Sequence, residues 1–310
     1  MSRPPRSRTC GPRVDGASLG PDGVRSTLCG RPVPTDRALV MAIINRTPDS
    51  FYDRGSYFAV DAALERVDTA VAEGADVVDV GGVKAGPGQD VDVTEEIART
   101  VPFIAQVRDR HPDLLISVDT WRAAVGEAAV DAGADLINDT WAGADPDLPR
   151  VAAATGAGLV CSHTGGAVPR SRPYRVRYPD VVADVREKLT AAAEAAFAAG
   201  VREDGIVIDP THDFGKNTHH GLALLRDLGA LVDTGWPVLM ALSNKDFIGE
   251  TLDAGLEERV AGTLAATALA AHAGARIFRV HQVAETLRVV RMVAAIDGAR
   301  PPARVIRGLA

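Results

Sequence analysis

Polar side chains follow the apolar segments of this chain at nearly every point where such a segment ends. The clearest case is NRTPDSFYDRG at residues 45–55, which comes directly after the apolar segment ALVMAII. Carboxylates and amides can pair with the amino group and ring N–H of a flat polar heterocycle, and cationic side chains can hold phosphate oxygens. The polar positions are Asn45, Asp119, Asn138 with Asp139, Ser162 with His163, residues 209–216, residues 243–245, and Arg279 with His281.

A single polar residue at the end of a strand often only caps the following helix, and that interpretation stays open for each position taken alone. A series repeated in phase along the chain favours one shared site. We expect the acidic and amide side chains to contact the edge of a planar ring, and the basic ones to hold an anion or stabilise the charge of a leaving group. The two sets are Asp119, Asn138 and Asp209, and Lys245, Arg279 and His281.

The elements that must position these residues form a regular alternation. Eight short apolar segments rich in β-branched residues alternate with Ala-rich amphipathic stretches, as expected for parallel strands covered by helices. This pattern predicts a single-domain (β/α)8 TIM barrel over residues 38–298. A doubly wound dinucleotide-binding sheet is the rival, but no GxGxxG follows the first strand. The predicted strands are 38–44, 75–80, 114–118, 134–138, 157–162, 205–209, 237–242 and 275–280.

The composition limits the other classes of function. The chain has 310 residues with a net charge of −7 and a pI of about 5.5, which argues against nucleic-acid binding. No apolar stretch reaches the ~18 residues that a membrane span needs. The three cysteines, Cys10, Cys29 and Cys161, fit neither a disulfide framework nor a zinc pattern. We therefore expect a cytoplasmic protein that interacts with no membrane.

Both ends of the chain differ from its centre. Residues 1–37 are rich in Pro, Gly and Arg without apolar periodicity, and we predict a disordered leader there. Residues 299–310 are predicted to be a basic tail broken by proline. Residues 170–180, RSRPYRVRYPD, form an Arg- and Tyr-rich segment after the fifth strand, which is either a solvated flap or a grip for an anionic ligand.

Seven segments resemble, in order and spacing, the signature segments of dihydropteroate synthases. They are NRTPDSFYDRG, DVGG followed by PG, SVDT, IND, DPTHDFGK, SNKDFIG and RVH, and the resemblance covers roughly residues 38–296. Members of that family are (β/α)8 barrels, usually homodimers. They condense 6-hydroxymethyl-7,8-dihydropterin diphosphate with p-aminobenzoate, using Mg²⁺ and releasing diphosphate, in folate biosynthesis.

The resemblance also implies roles for the matching residues. Asn45 would contact Mg²⁺ and the diphosphate, and Phe214 would form a wall of the pterin site. Lys245 would reach both the pterin and the amine pocket, and Arg279 with His281 would bind the diphosphate. The residues implied to bind the pterin are Asp119, Asn138, Asp209, Phe214 and Lys245, and those implied in catalysis are Lys245, Arg279 and His281.

Four departures from the family pattern predict altered chemistry. The second loop, usually Gly-Gly-Glu-Ser-Thr-Arg-Pro-Gly, is GGVKAGPG here, so the Thr and Arg that close over the second substrate are missing. Arg46 replaces a small apolar residue and is expected to add bulk in the first loop. THD at 211–213 replaces Gly-Ile-Gly beside the pterin, and Asn244 replaces an Arg. One well-placed anion donor contributes roughly 10²–10³ in rate, so we predict a divergent paralogue with weak or lost condensation.

Other interpretations remain open. A fully active synthase is the first alternative. A metal-dependent hydrolase is the second, because His163, His212 and His281 are all predicted at the mouth of the barrel. A pterin-dependent methyl-transfer module and a non-enzymatic scaffold are further possibilities, but the retained NRTPDSF, FGK and RVH segments speak against the methyl-transfer module.

Overall fold

The fold is built on eight parallel strands. The computed structural model describes residues 24–47, 56–84, 86–88, 90–171 and 176–307, with the backbone alone for residues 56–59. A two-stranded antiparallel pair, β1 (Thr27–Leu28) and β2 (Arg31–Pro32), precedes the barrel. The barrel strands are β3 (Leu39–Asn45), β4 (Val77–Gly81), β5 (Leu115–Asp119), β6 (Leu136–Asp139), β7 (Gly158–Ser162), β8 (Ile206–Asp209), β9 (Leu239–Met240) and β10 (Ile277–Val280).

The strand order shows that the sheet curves into a barrel. The order is β8-β7-β6-β5-β4-β3-β10-β9, so each strand pairs with its sequence neighbour and β10 returns to pair with β3. Closure between β8 and β9 rests on a parallel bridge from Ile208 to Val238, with the Ile208 amide donating to the Pro237 carbonyl at 2.9 Å. The predicted (β/α)8 architecture is confirmed, and each of the eight predicted strand segments overlaps an observed strand.

Helices cover the outside of the barrel because their apolar faces pack on the strands. Asp92 and Asp180 cap two of them by accepting hydrogen bonds from backbone amides of the first turn. The helices are α1 (Ser56–Glu73), α2 (Val93–Arg110), α3 (Ala123–Asp131), α4 (Leu148–Thr155), α5 (Val181–Ala198), α6 (Thr218–Arg226), α7 (Gly229–Val232), α8 (Asp246–Leu252), α9 (Val260–His272) and α10 (Val283–Ile296).

The interior of the barrel changes from apolar to polar along the strands. Successive side chains of a strand point to opposite faces, so residues two apart line the same side. On β5 the inward series runs from Leu115 through Ser117 to Asp119. On β4 it runs from Val77 to Asp79. The apolar core inside the barrel therefore lies at the N-terminal ends of the strands, and the polar residues lie at the C-terminal ends, where TIM barrels carry their active sites.

The prediction of a disordered leader is wrong for residues 24–37, the part of it that the structure describes. Strands β1 and β2 lie under the barrel, and Leu28 is buried in the same apolar cluster as the inward residues of the strands. Thr27 donates to Asp204 at 2.8 Å, and Arg31 pairs with Asp135 at 2.7 Å. The hairpin is ordered because it closes the lower end of the apolar core. Residues 1–23 lie outside the described residues.

The remaining parts of the chain add little that positions the site. Within the described residues, none of the helices is both long enough and apolar enough to cross a bilayer. Residues 301–307 are exposed and contain no regular secondary structure. Arg300, just before this segment, forms an ion pair with Asp36 at 3.4 Å. The basic C-terminal tail stays a prediction.

Candidate functional site

Neighbouring strands place the predicted ring-binding residues in one layer at the mouth of the barrel. Asn45 is the register partner of Gly81, Gly81 is that of Asp119, and Asp119 is that of Asn138. A Cβ built on Gly81 would lie 3.5 Å from the Asp119 Cβ, so a glycine here leaves room beside that side chain. One row of four strands thus brings together three of the predicted residues.

Arg279 connects this layer of residues to Asp79, a buried carboxylate deeper in the barrel. Its Nε donates to Asp79 Oδ2 at 2.5 Å, and its Nη2 donates to Asp119 Oδ2 at 2.6 Å. Burial opposes the charge of the guanidinium, but Asp79 and then Asp119 raise the pKa of Arg279. Burial also raises the pKa of Asp119, and Arg279 acts in the opposite direction. The arginine predicted to hold an anion therefore already has two carboxylate partners inside the barrel.

Asp79 joins the floor of the site into one hydrogen-bond network. It is fully buried, and it also accepts from Ser117 Oγ at 2.6 Å and from Asn138 Nδ2 at 3.1 Å. Since Nδ2 of Asn138 is committed to Asp79, its other amide atom Oδ1 is directed elsewhere. That oxygen is buried and has no hydrogen-bond partner among the described residues. A buried acceptor without a donor is costly, so this position is suited to a ligand N–H.

Asp209, Lys245 and Phe214 form the opposite wall. Burial raises the pKa of Asp209, while the charge of Lys245 and the backbone N–H of Thr211 lower it. Lys245 forms an ion pair with Asp213 at 3.0 Å, and its Nζ lies 5.9 Å from the centroid of the Phe214 ring. A carboxylate, an ammonium group and an aromatic face therefore converge here.

The last two predicted residues differ in their surroundings. His281 is exposed, and its Nδ1 lies 2.9 Å from the hydroxyl of Ser243. The contact of the ring with its neighbours at the mouth and then the charge of Arg279 lower the pKa of His281. The imidazole is therefore neutral at pH 7 and can donate one hydrogen bond. Asn45 is exposed at the end of β3, where its amide faces solvent at the mouth.

Three arginines hold the second loop, residues 82–91, by its backbone carbonyls. Arg99 donates to the Gly82 carbonyl at 2.9 Å, and Arg122 donates to the Val91 carbonyl at 2.7 Å. Arg170, from the loop after β7, donates to the Gly86 carbonyl at 3.4 Å. Arg170 also pairs with Asp90 at 3.5 Å, and its side chain is 13% exposed. The second loop is thus held by side chains at its start, its middle and its end.

Two departures from the family pattern lie away from the ring-binding layer. The guanidinium of Arg46 packs over Phe103 of α2 at 4.8 Å from the ring centroid. That Arg46 adds bulk in the first loop stays a prediction, because residues 48–55 lie outside the described residues. Asn244 has a φ of 56°, a left-handed conformation that Asn tolerates better than most residues. Its amide N–H donates to Thr263 Oγ1 at 3.1 Å. Asn244 therefore faces α9, where it supports the backbone next to Lys245.

The three histidines predicted for a metal site have other partners. His163 contacts Asp184 through Nε2 at 2.8 Å, and His212 packs on Phe247 with ring centroids 5.4 Å apart. Across the residues that the structure describes, no group of three or more His, Cys, Asp and Glu side chains could hold a metal ion. The geometry does not favour the metal-dependent hydrolase.

Sequence reasoning missed two buried charged residues that organise the site. Asp79 interrupts an otherwise apolar strand segment, and a lone carboxylate between valines is a usable signal because isolated buried charges are costly. Lys216 is 4% exposed, although lysine is almost never fully buried. Nothing in its sequence surroundings indicates burial, since it follows Gly215 in a polar loop segment.

Comparison with known proteins places this geometry in a family. Residues 41–281 match the family described as pterin binding enzyme. Inactive dihydropteroate synthase 2 of Mycobacterium leprae (strain TN) is 67% identical over 291 residues, which cover 93% of this chain and 100% of that protein.

Solved structures agree with this placement. The structure of Mycobacterium tuberculosis Rv1207 is 57% identical, covers 89% of this chain and 100% of its own, and superposes with a TM-score of 0.70. Xanthomonas albilineans dihydropteroate synthase with 4-aminobenzoic acid is 40% identical, covers 86% of this chain and 96% of its own, and has a TM-score of 0.79.

Proposed function

Because the chain belongs to the family of pterin-binding enzymes that includes the dihydropteroate synthases, we propose that it binds a 6-hydroxymethyl-7,8-dihydropterin diphosphate and carries out the condensation with p-aminobenzoate weakly or not at all. The observation that carries the pterin assignment is the buried Oδ1 of Asn138, an acceptor without a hydrogen-bond partner among the described residues. Asp119 beside it and Asp209 on the opposite wall supply further acceptors for ring N–H and amino groups. Phe214 supplies an aromatic face.

The diphosphate is assigned to the basic residues of the rim. Lys245 is paired with Asp213, whose side chain is 43% exposed, so an arriving anion can compete for the ammonium group. His281 donates one hydrogen bond as a neutral imidazole, and Arg279 contributes positive charge from below. In the condensation these groups would stabilise the charge that develops on the departing diphosphate.

Weak condensation is supported by the second loop. Relative to the family segment, position 85 has Ala for Thr and position 86 has Gly for Arg. Lys84 is exposed and is one residue away from the Thr position, and a lysine does not reproduce the two-pronged hydrogen bonding of an arginine. The three arginines that hold this loop by its carbonyls further oppose the rearrangement that closing over a second substrate requires.

The test is a titration followed by an activity assay. Pterin diphosphate is titrated by calorimetry with and without Mg²⁺, p-aminobenzoate is then added, and release of diphosphate is measured. We expect pterin diphosphate to bind and turnover to lie at least roughly 10³-fold below that of an ordinary synthase, because a single lost anion donor already costs roughly 10²–10³ and two are missing. Turnover at the level of an ordinary synthase would contradict the proposal, and so would failure to bind the pterin.

Restoring the loop gives a sharper version of this test. A Cβ at Gly86 meets nothing within 4 Å, so a side chain fits there. The double variant Ala85→Thr/Gly86→Arg should raise turnover by roughly 10²–10³. Ala85→Thr/Gly86→Gln, which has no charge, is the matched control and should raise it much less. Equal effects of the two variants would show that the missing guanidinium is not the cause.

Mg²⁺ is a further part of the proposal. Mg²⁺ usually binds through one or two protein oxygens together with substrate phosphates and water. The exposed amide of Asn45 is one such oxygen, which fits an ion that arrives with the diphosphate. When bound, the ion would neutralise phosphate charge. Asn45→Ala should therefore reduce the effect of Mg²⁺ on diphosphate affinity and leave the affinity for an unphosphorylated pterin unchanged.

We also propose that two copies associate through α9 and α10. These helices pack against each other and carry large apolar side chains that are exposed: Leu269, Met292 and Ile296. Exposed apolar groups of this kind are typical of contact surfaces. Light scattering on the full chain should give the mass of a dimer, and Leu269→Glu should shift it to a monomer. A monomeric wild type at micromolar concentration would refute the association.

We propose that the protein is located in the cytoplasm, which is a reducing compartment. Cys29 and Cys161 are both free thiols, and burial raises the pKa of each to about 12. Such thiols pack as small apolar groups and have little thiolate character. Fractionation of cells that produce the protein should recover it with cytoplasmic markers.

A further inference from the structure

Lys216 makes an unusual set of contacts for a buried lysine. Its Nζ donates to the His163 carbonyl at 2.7 Å, to the Phe214 carbonyl at 3.0 Å and to the Thr211 carbonyl at 3.2 Å, and lies 3.0 Å from His163 Nδ1. All four partners are uncharged acceptors. The ammonium group therefore ties the end of β7 to the loop that follows β8.

His163 is held in the form that this contact requires. Its Nε2 lies 2.8 Å from Asp184 Oδ1. Burial and then the charge of Lys216 lower the pKa of His163 to about 4. The ring is therefore neutral, and a proton on Nε2 that is donated to Asp184 leaves Nδ1 as an acceptor for Lys216. The orientation of His163 thus depends on a carboxylate of α5.

Thr211 is the backbone position that needs support. Its φ is 42°, in the left-handed region, which is disfavoured for a β-branched residue. A conformation of this kind persists only when several contacts determine it. The Thr211 amide N–H donates to Asp209 Oδ1 at 2.7 Å, its hydroxyl donates to the His163 carbonyl, and its carbonyl accepts from Lys216.

We propose that Lys216 is a positioning residue for pterin recognition, which holds Thr211 in its left-handed conformation and so fixes Asp209 and Phe214 on either side of it. The inference rests on the proposed pterin binding. Asp209 is fixed because its Oδ1 accepts from the Thr211 amide, and Phe214 is fixed because its own carbonyl is bound by Lys216. Where the family pattern has a glycine, this chain has Thr211, and the retained Lys216 supports its left-handed backbone.

The charge of Lys216 gives the proposal a pH signature. Burial lowers the pKa of Lys216 to about 7, and Asp209 is the first of the charges that oppose this shift. An ammonium group offers three protons to the four acceptors, whereas the neutral amine offers two. Support for Thr211 should therefore weaken as the pH rises through about 7. The other charged groups that face the cluster are Asp184, Asp213 and Lys245.

The experiment measures the affinity for pterin diphosphate by calorimetry in wild type and in Lys216→Met. We expect a loss of about tenfold to a hundredfold, the range for a charge-assisted hydrogen bond that positions a binding residue. Arg186→Met, which removes an exposed cation on α5, is the matched control and should bind like wild type. The proposal is overturned if Lys216→Met binds as tightly as wild type.

Glycine at position 211 tests the mechanism itself. When Lys216→Met is added to Thr211→Gly, the further loss of affinity should be less than about threefold, because glycine needs no support at a positive φ. The comparison in the Thr211→Gly background can still be made if the single variant Lys216→Met does not fold. A loss in the glycine background as large as in wild type would show that Lys216 does not act through Thr211. In wild type, the affinity for pterin diphosphate should decline between pH 6.5 and 8 as Lys216 loses its proton. This decline should be absent in Lys216→Met.

A readout without ligand separates this proposal from the pterin assignment. The indole of Trp141 contacts the Phe214 ring with centroids 4.6 Å apart, so near-ultraviolet circular dichroism reports the position of Phe214. Lys216→Met should change this signal in the free protein, and Arg186→Met should not. If wild type binds no pterin, the proposed function fails, and an unchanged aromatic signal would overturn the positioning role as well.

Discussion

Replacing Arg279 by methionine should cost far more stability than removing a comparable arginine elsewhere. Arg279 holds Asp79 and Asp119 at 2.5 Å and 2.6 Å, and Asp79 is fully buried. Arg279→Met leaves both carboxylates without a counter-charge. Breaking a buried pair in this way costs about 3–5 kcal/mol.

Arg276 provides the matched control. It lies three residues earlier, directly before β10, and its guanidinium donates to the carbonyls of Arg37 and Pro34. Arg276→Met removes those hydrogen bonds without leaving the carboxylates of the barrel interior unpaired. We expect a cost of about 1–2 kcal/mol, the usual range for lost hydrogen bonds of this type.

The assay is urea unfolding followed by far-ultraviolet circular dichroism at pH 8 and pH 5. In Arg279→Met the burial of Asp119 raises its pKa above the value in the unfolded chain. The folded state then takes up a proton as the pH falls, so the penalty is largest above the raised pKa and shrinks towards pH 5. A loss equal to that of Arg276→Met, or a loss that grows on acidification, would refute the role given to Arg279.

Three further predictions follow from single contacts. Asn138→Ala should weaken pterin binding by about tenfold to a hundredfold, because the acceptor for a ligand N–H is lost; an unchanged calorimetric Kd would contradict this. Leu28→Ala should lower the free energy of unfolding by about 2–4 kcal/mol, since the hairpin closes the apolar core, whereas a fully dispensable leader predicts no change in urea unfolding. Arg170→Ala should speed proteolysis of the second loop, and Arg177→Ala, an exposed position in the same flap, is its control.

The sequence predicts the barrel well because each strand is buried on both faces. Segments such as residues 75–80 and 114–118 are nearly continuous in apolar character, and the polar residues after them mark the C-terminal ends of the strands. Asp119 and Asn138 were predicted together because this architecture requires such residues to converge. The strand register explains why these two residues lie side by side, because Asp119 and Asn138 are paired on the adjacent strands β5 and β6.

The parts that escaped prediction depend on contacts between residues far apart in the chain. Nothing near Lys216 in the sequence indicates that its ammonium group meets the carbonyl of His163 from a different loop. Leu28 lies in a segment without apolar periodicity, and the open N-terminal end of the barrel gives it a place to pack. The packing of Arg46 on Phe103 likewise depends on how α2 lies against the sheet.

The hairpin under the barrel also bears on the order in which the protein can mature on the ribosome. Arg25 contacts Glu203, a residue 178 positions later in the chain. During synthesis the N-terminal segment emerges long before its docking partner exists, so it stays undocked while more than half of the polypeptide is translated. The hairpin can therefore close the N-terminal end of the barrel only late in synthesis. Bulky fusions at the N-terminus should interfere with this step more than fusions at the C-terminus.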